Sequence, residues 1–258
     1  MRLFASKWTT TAAAGIVVFL GACGADGGAP RPTPGDDTLG PIVGEELSRM
    51  VLDLAQFPPE FENFVAGAGN GALTLEAASA EDFNPAEERA DLTKFGWDSG
   101  YEATFNAEGN IEDQSGVFLA ASEVTLFKTL AGAQGYFDNE DAELLDNVGT
   151  TSDNVTLNEA ERIQLSVADD ASGGRFKATL VLEDPDPDDD IPPAEVVYRG
   201  MVTAFRRGRL VGTVAIYVAD DVGEGERERL EGRLKDLTRK MNEQIAEVLA
   251  GPAASPGS

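Results

Sequence analysis

Six apolar residues near the C-terminus, Leu230, Leu234, Leu237, Met241, Ile245 and Val248, recur at steps of 4, 3, 4, 4 and 3. On a helix over residues 224–249 they form one continuous apolar stripe, with mixed charges on the remaining surface. A stripe of that length needs a cover. A second copy of the chain could supply one through a coiled-coil seam, but the heptads are few. The expected cover is a β-sheet of the same domain, so the preceding sequence has to provide strands.

It provides several. Tyr101, Ala103 and Phe105 alternate with polar residues, the period of a half-buried strand. Residues 117–127 read as a longer strand and residues 163–167 as a short one. Residues 176–182 and 196–205 flank an acidic loop, and Gly208 reverses the chain into a strand over 210–218, giving a hairpin. Helices fall between them. Leu47, Met50, Val51 and Leu54 share helical spacing over residues 45–56, and Pro58-Pro59 stop that helix. Asn84-Pro85-Ala86-Glu87 is a helix start, with the end expected near Phe95-Gly96. Residues 128–145 should turn Leu130, Ala133, Phe137 and Leu144 to the sheet, leaving Asp138, Glu140, Asp141, Glu143 and Asp146 on a wet face. The fold class expected is α+β: a mainly antiparallel sheet covered by helices, the long C-terminal amphipathic helix packed on it. Residues 67–72 formally fit Gly-x-Gly-x-x-Ala, but no clear strand precedes them, so a turn is expected.

Composition narrows the chemistry. The chain has no histidine and one cysteine, Cys23, which removes His-dependent triads, structural zinc sites and disulfides within the chain. Hydrophobic burial therefore has to hold the body together. The formal charge is −26, from 20 basic and 46 acidic groups. Nucleic acid needs a basic face and is not an expected partner.

The N-terminus carries Arg2 and Lys7, an apolar run over residues 12–20, and then Leu20-Gly21-Ala22-Cys23. The apolar run has signal-peptide length and is too short to span a bilayer. This resembles the lipobox of bacterial lipoproteins, residue by residue. The resemblance implies cleavage between Ala22 and Cys23 and a diacylglyceryl group on the Cys23 thiol, hence a membrane partner on the extracytoplasmic face. Loss of residues 1–22 takes the basic groups from 20 to 18, and 18 − 46 = −28. Residues 23–44, with Pro30, Pro32, Pro34 and Pro41, read as a flexible tether. About 20 such residues reach on the order of 25 Å. The body is expected as one domain over residues 45–250, with a frayed tail at 251–258. The body also resembles exported lipoproteins with a PsbP-like or LpqN-type α/β sandwich. The marks are Phe95-Gly96-Trp97 with Gly100-Tyr101 leading into a strand, Leu126-Phe127 before an Ala-rich helix, and Phe205-Arg206-Arg207-Gly208 before a long terminal helix. Proteins of these groups are mostly non-enzymatic binding or accessory proteins.

Two constellations stand out. Arg199, Arg206, Arg207 and Arg209 place four guanidiniums within eleven residues of an acidic chain. Arginine forks grip carboxylates and phosphates, so the hairpin is a candidate for an anionic ligand or acidic partner, against simple pairing with local acids. Asp186, Asp188 and Asp190 lie in a run of alternating acids and prolines. They are weak calcium candidates, against a solvated loop, since the glycine turn and terminal glutamate of an EF-hand are missing. No other cofactor is expected. Trp97 reads as core. The function expected is non-catalytic: a monomeric, membrane-tethered lipoprotein binding a small ligand or an envelope protein. The alternatives are a carboxylate-based hydrolase, which needs converging acids and a raised pKa, and a calcium-binding structural envelope protein.

Overall fold

The computed structural model describes residues 42, 44–80, 84–108, 116–152, 154–168, 170–182 and 194–251. Ala22, Cys23, the proline-rich segment, Asp186, Asp188, Asp190 and residues 252–258 lie outside these. The elements in chain order are α1 (Gly44–Leu47), β1 (Phe64–Ala66), β2 (Gly71–Leu73), α2 (Leu75–Ala80), α3 (Pro85–Phe95), β3 (Trp97–Ala107) and β4 (Val117–Phe127). Then follow α4 (Leu130–Asp146), β5 (Thr151–Ser152), β6 (Val155–Arg162), β7 (Ala171–Leu182), β8 (Ala194–Arg207), β9 (Leu210–Ala219) and α5 (Glu224–Ala250). The nine strands form one antiparallel sheet in the order β1-β3-β4-β9-β8-β7-β6-β5, with β2 also pairing with β3. The protein is α+β.

The stripe on α5 is consumed by the sheet. Leu230, Leu234, Leu237, Met241 and Ile245 pack with Met201 and Phe205 of β8 and Leu210, Val214, Ile216 and Val218 of β9. Each such side chain fully buried is worth roughly 1.5–3 kcal/mol of transfer free energy. Polar contacts fix the helix on the sheet: the Thr203 and Thr238 hydroxyls lie 2.6 Å apart, and Ser122 Oγ donates to Met241 Sδ at 3.4 Å. On the opposite face, α3 and α4 bury Leu92, Ala133, Tyr136 and Phe137 against Phe127 and Val211. Beside them Phe118, Phe176, Tyr198 and Tyr217 form an aromatic cluster.

Local chemistry sets the junctions. Pro85 opens α3, and Gly96 closes it in the left-handed region at φ 77°. Arg207 and Leu210 are paired across a two-residue turn, whose first position, Gly208, has φ 59°. Residues 67–70 are a turn between β1 and β2, pinned by Asn70: its Nδ2 donates to the Thr104 carbonyl at 2.9 Å, and its Oδ1 accepts from the Thr104 N–H at 2.8 Å. The structure thus gives this stretch a turn's role.

Two expected elements differ. The helix over 45–56 stops at Leu47 because tertiary partners take its backbone. Gln244 Nε2 donates to the carbonyls of Arg49 and Val51 at 2.6 and 2.8 Å, and the Leu52 N–H donates to Ser122 Oγ at 3.0 Å. The apolar spacing is largely satisfied all the same, since Leu47, Met50 and Val51 are buried and Leu54 is half-buried against the same core. Residues 163–167 form no strand. The strand lies earlier, at β6, and Ile163 is buried while its N–H donates to the Gly173 carbonyl at 2.8 Å. Among the helix residues expected on the sheet, Ala133 and Phe137 are buried and Leu130 is half-buried; the Leu144 side chain lies outside the described ones.

Candidate functional site

The face that carries α5 changes character beyond the helix. Cross-strand register aligns Glu159, Lys177, Arg199 and Val218 in one row across β6, β7, β8 and β9, and Glu161, Arg175, Met201 and Ile216 in the next. The apolar ends of both rows lie in the core beneath α5. The charged ends emerge beside its first turns, where they and Glu224, Arg227 and Glu231 enclose a groove of about 470 Å³. That volume is in the range of small-ligand sites.

The groove is a mesh of paired charges. Asp220, just after β9, accepts from Arg199 Nε at 2.9 Å and from Lys177 Nζ at 3.0 Å. Burial raises the Asp220 carboxyl, but the Lys177 hydrogen bond and the Arg199 charge outweigh it and hold its pKa below the usual value. Arg175 Nε donates to Glu161, and this bond is the main cause of the raised Arg175 pKa. Arg227 bonds Glu224 and lowers that carboxyl's pKa, while its Nη1 donates to the Val222 carbonyl at 2.7 Å. Lys235 Nζ donates to Glu231 at 2.7 Å. The charges facing one another across the opening stand farther apart. Arg175 Nη1 lies 3.7 Å from both Glu224 Oε1 and Glu231 Oε2, and Arg199 Nη1 lies 3.8 Å from Glu159 Oε2.

The arginines that crowd together in sequence separate in space. Of the four only Arg199 lines the groove: Arg206 points to the opposite face by strand alternation, and Arg207, on the same face as Arg199, lies eight residues farther along β8. Arg206 turns to the other face, bonds Asp170, and donates from Nη1 to the Gly208 carbonyl at 3.0 Å. Arg207 Nε donates to Asn242 Oδ1 of α5 at 3.0 Å. Arg209, in the turn, places Nη1 3.5 Å from the carbonyls of Phe127 and Lys128. Arg206 and Arg207 are thus fastened locally. The groove instead gathers Arg175, Lys177 and Arg227, which the sequence reading missed because they sit on two separate elements. One signal was available: Arg175 and Lys177, two apart on a strand, share a face.

The three aspartates considered for calcium lie outside the described residues. Among the described residues, no group of three or more His, Cys, Asp or Glu is placed to hold a metal ion. No helix among them is long and apolar enough to cross a membrane. Among the described residues, Glu88 has a raised pKa. Glu88 of α3 is 4 % exposed, and burial pushes it up to about 7, against the hydrogen bond it accepts from the Tyr136 hydroxyl at 2.9 Å. Burial, then the charges of Glu140, Glu88 and Glu123, raise Tyr136 in turn. Glu140 therefore does not belong wholly to the wet face of α4, where Asp138 and Asp146 are exposed. Trp97 packs partly buried against this cluster, as its core reading expects.

No protein-family model and no curated protein matches the chain. Among solved structures, the Ran-binding protein Mog1p of Saccharomyces cerevisiae aligns at 11% identity and a TM-score of 0.20, covering 58% of this chain and 76% of its own. The extracellular domain of PknH from Mycobacterium tuberculosis aligns at 9% identity and a TM-score of 0.47, covering 80% of this chain and 99% of that domain.

Proposed function

We infer that the chain is an exported lipoprotein, tethered through Cys23, that binds a small polar ligand at the extracytoplasmic face of a membrane without transforming it. The observation that carries the binding part is the groove beside α5. It is an open cavity of ligand size whose charged side chains are already oriented by neighbours. The sequence Leu20-Gly21-Ala22-Cys23 and the proline-rich segment after it support the location. A finer likeness to PsbP-like or LpqN-type lipoproteins belongs to the same reading, as does a monomeric state, since the α5 stripe is spent on the chain's own sheet.

The hydrolase alternative fares less well. Asp220 and Glu224 at the groove are held low, as ionised pairing groups. Glu88, the acid poised near neutrality, is sealed beneath α4 rather than facing the groove. Anchoring is tested by expressing the full chain in a bacterial host fed labelled palmitate. Label should enter the wild-type chain and fractionate with membranes, while Cys23→Ser should be unlabelled. Equal labelling of both chains, or none of either, defeats the lipoprotein reading.

A further inference from the structure

We propose that the groove is a site for a small zwitterion, an amino acid or short peptide with free ends, its carboxylate held by Arg175 and Arg199 and its ammonium by Glu224 and Glu231. This rests on the reading of the chain as a binding protein and adds the ligand class. The argument starts from how each of these four side chains is held. Arg175 is pinned by Nε to Glu161, and Arg199 by Nε to Asp220 at 2.9 Å. Glu224 is pinned by Oε2 to Arg227, and Glu231 by Oε1 to Lys235 at 2.7 Å. Each residue therefore has one arm fixed in a short bond and a second arm left to longer contacts along the groove wall.

Those second arms are under-used. Arg175 Nη1 reaches Glu224 Oε1 and Glu231 Oε2 only at 3.7 Å, and Arg199 Nη1 reaches Glu159 Oε2 only at 3.8 Å. Direct charge-assisted hydrogen bonds run at about 2.7–2.9 Å. A ligand carboxylate between the two guanidiniums and an ammonium between the two glutamates would replace long contacts with short ones and leave every pinned bond intact. Little reorganisation is then needed on binding. The same chemistry is already present beside the groove, where Asp220 presents a carboxylate to Arg199 and Lys177.

Charge balance selects the zwitterion. The groove wall holds the cations Arg175, Lys177, Arg199 and Arg227 against the acids Glu159, Glu161, Glu224 and Glu231. A simple anion such as phosphate would meet four carboxylates as well as four cations, in a chain of formal charge −26. A ligand carrying both signs meets a partner at each end.

The test is calorimetric titration of the full chain, purified in detergent, with four probes: trialanine with free ends, N-acetyl-trialanine, trialanine amide and inorganic phosphate. Free trialanine should bind, and capping either end should weaken binding by about tenfold or more. Glu231→Gln should erase most of the difference between the free and acetylated peptides, and Arg199→Gln most of that between the free peptide and the amide. Thermal melting first establishes that each variant is folded. Phosphate binding without trialanine, or capped peptides binding as well as free ones, overturns the zwitterion assignment and leaves the binding-protein reading standing. A wild-type chain that binds none of the four removes both the assignment and the groove as a small-ligand site.

Discussion

Glu88 shows what burial does to one carboxyl. In sequence it sits in the polar run Pro85-Ala86-Glu87-Glu88-Arg89; in the fold it is buried and accepts a hydrogen bond from Tyr136 of α4. The native state holds its proton up to about pH 7, whereas the unfolded chain releases it near 4.5. Between those values the folded protein binds more protons, so this group's contribution to stability falls as pH rises, from no penalty below 4.5 to a full penalty above 7. The size is roughly 3 kcal/mol. Asp220, Glu224 and Glu226 have lowered values and act oppositely, adding stability above the usual carboxylate pKa that is lost as pH falls. The difference between wild type and Glu88→Gln isolates the one group. Urea melts at pH 4.5, 6 and 8 should show the variant gaining on wild type as pH rises; a constant difference would mean that Glu88 is ionised in the fold. No reading of residue types could have found this, since the cause is burial in the packed fold, where even the hydrogen-bond partner stands 48 positions away.

At the scale of elements, the packing of α3 on α4 depends on absent side chains. A Cβ at Gly132 would lie 2.0 Å from the Phe95 carbonyl oxygen, and one at Gly135 would lie 2.6 Å from the Phe95 ring. A ring can tilt, but a backbone carbonyl at a helix end cannot swing away without moving the helix. Gly132→Ala gains about 1 kcal/mol of helix propensity and should still destabilise by roughly 1–2 kcal/mol net, because the clash costs more. Gly232 of α5 is the control: it is exposed, a Cβ there meets nothing within 4 Å, and Gly232→Ala should stabilise by about 1 kcal/mol. Melting temperatures moving in opposite directions would bear this out, and a stabilised Gly132→Ala would refute it. The periodicity of α5 made that helix legible, as did the capping residues of α3 and the turn at Gly208. The helix over 45–56 was misread because its pattern records burial, while Gln244 and Ser122 decide the backbone. β6 is hard to read because an irregularity between Leu157 and Glu159 shifts its apolar face from Val155 and Leu157 to Ala160 and breaks the strand period.

For the molecule as a whole, the antiparallel sheet and its helical cover follow from the alternation of strand and helix signals. The groove does not. Its charges come from β6, β7, β8 and α5, and only the register of the sheet brings them into rows. Net charge acts at this scale too. A formal charge of −26 makes the compact state repel itself, and salt screens that repulsion. Raising sodium chloride from about 0.05 to 0.5 M, where the Debye length drops from roughly 14 to 4 Å, should raise the melting temperature. A fall would mean that the ion pairs along α5 and in the groove outweigh the overall repulsion.

The capture of residues 49–56 by Gln244 has a mechanical side. Gln244 holds the carbonyls of Arg49 and Val51 and accepts from Gln56 Nε2 at 2.7 Å, Lys240 Nζ donates to the Gln56 carbonyl at 3.2 Å, and Arg229 reaches Glu60 at 2.8 Å. The first segment of the body is stitched along the last helix by bonds that run antiparallel to it, from Gln244 at Arg49 back to Arg229 at Glu60. A pull on residue 44 along the helix axis loads these bonds together, whereas a pull away from the helix loads those of Gln244 first. In either case the force passes into α5.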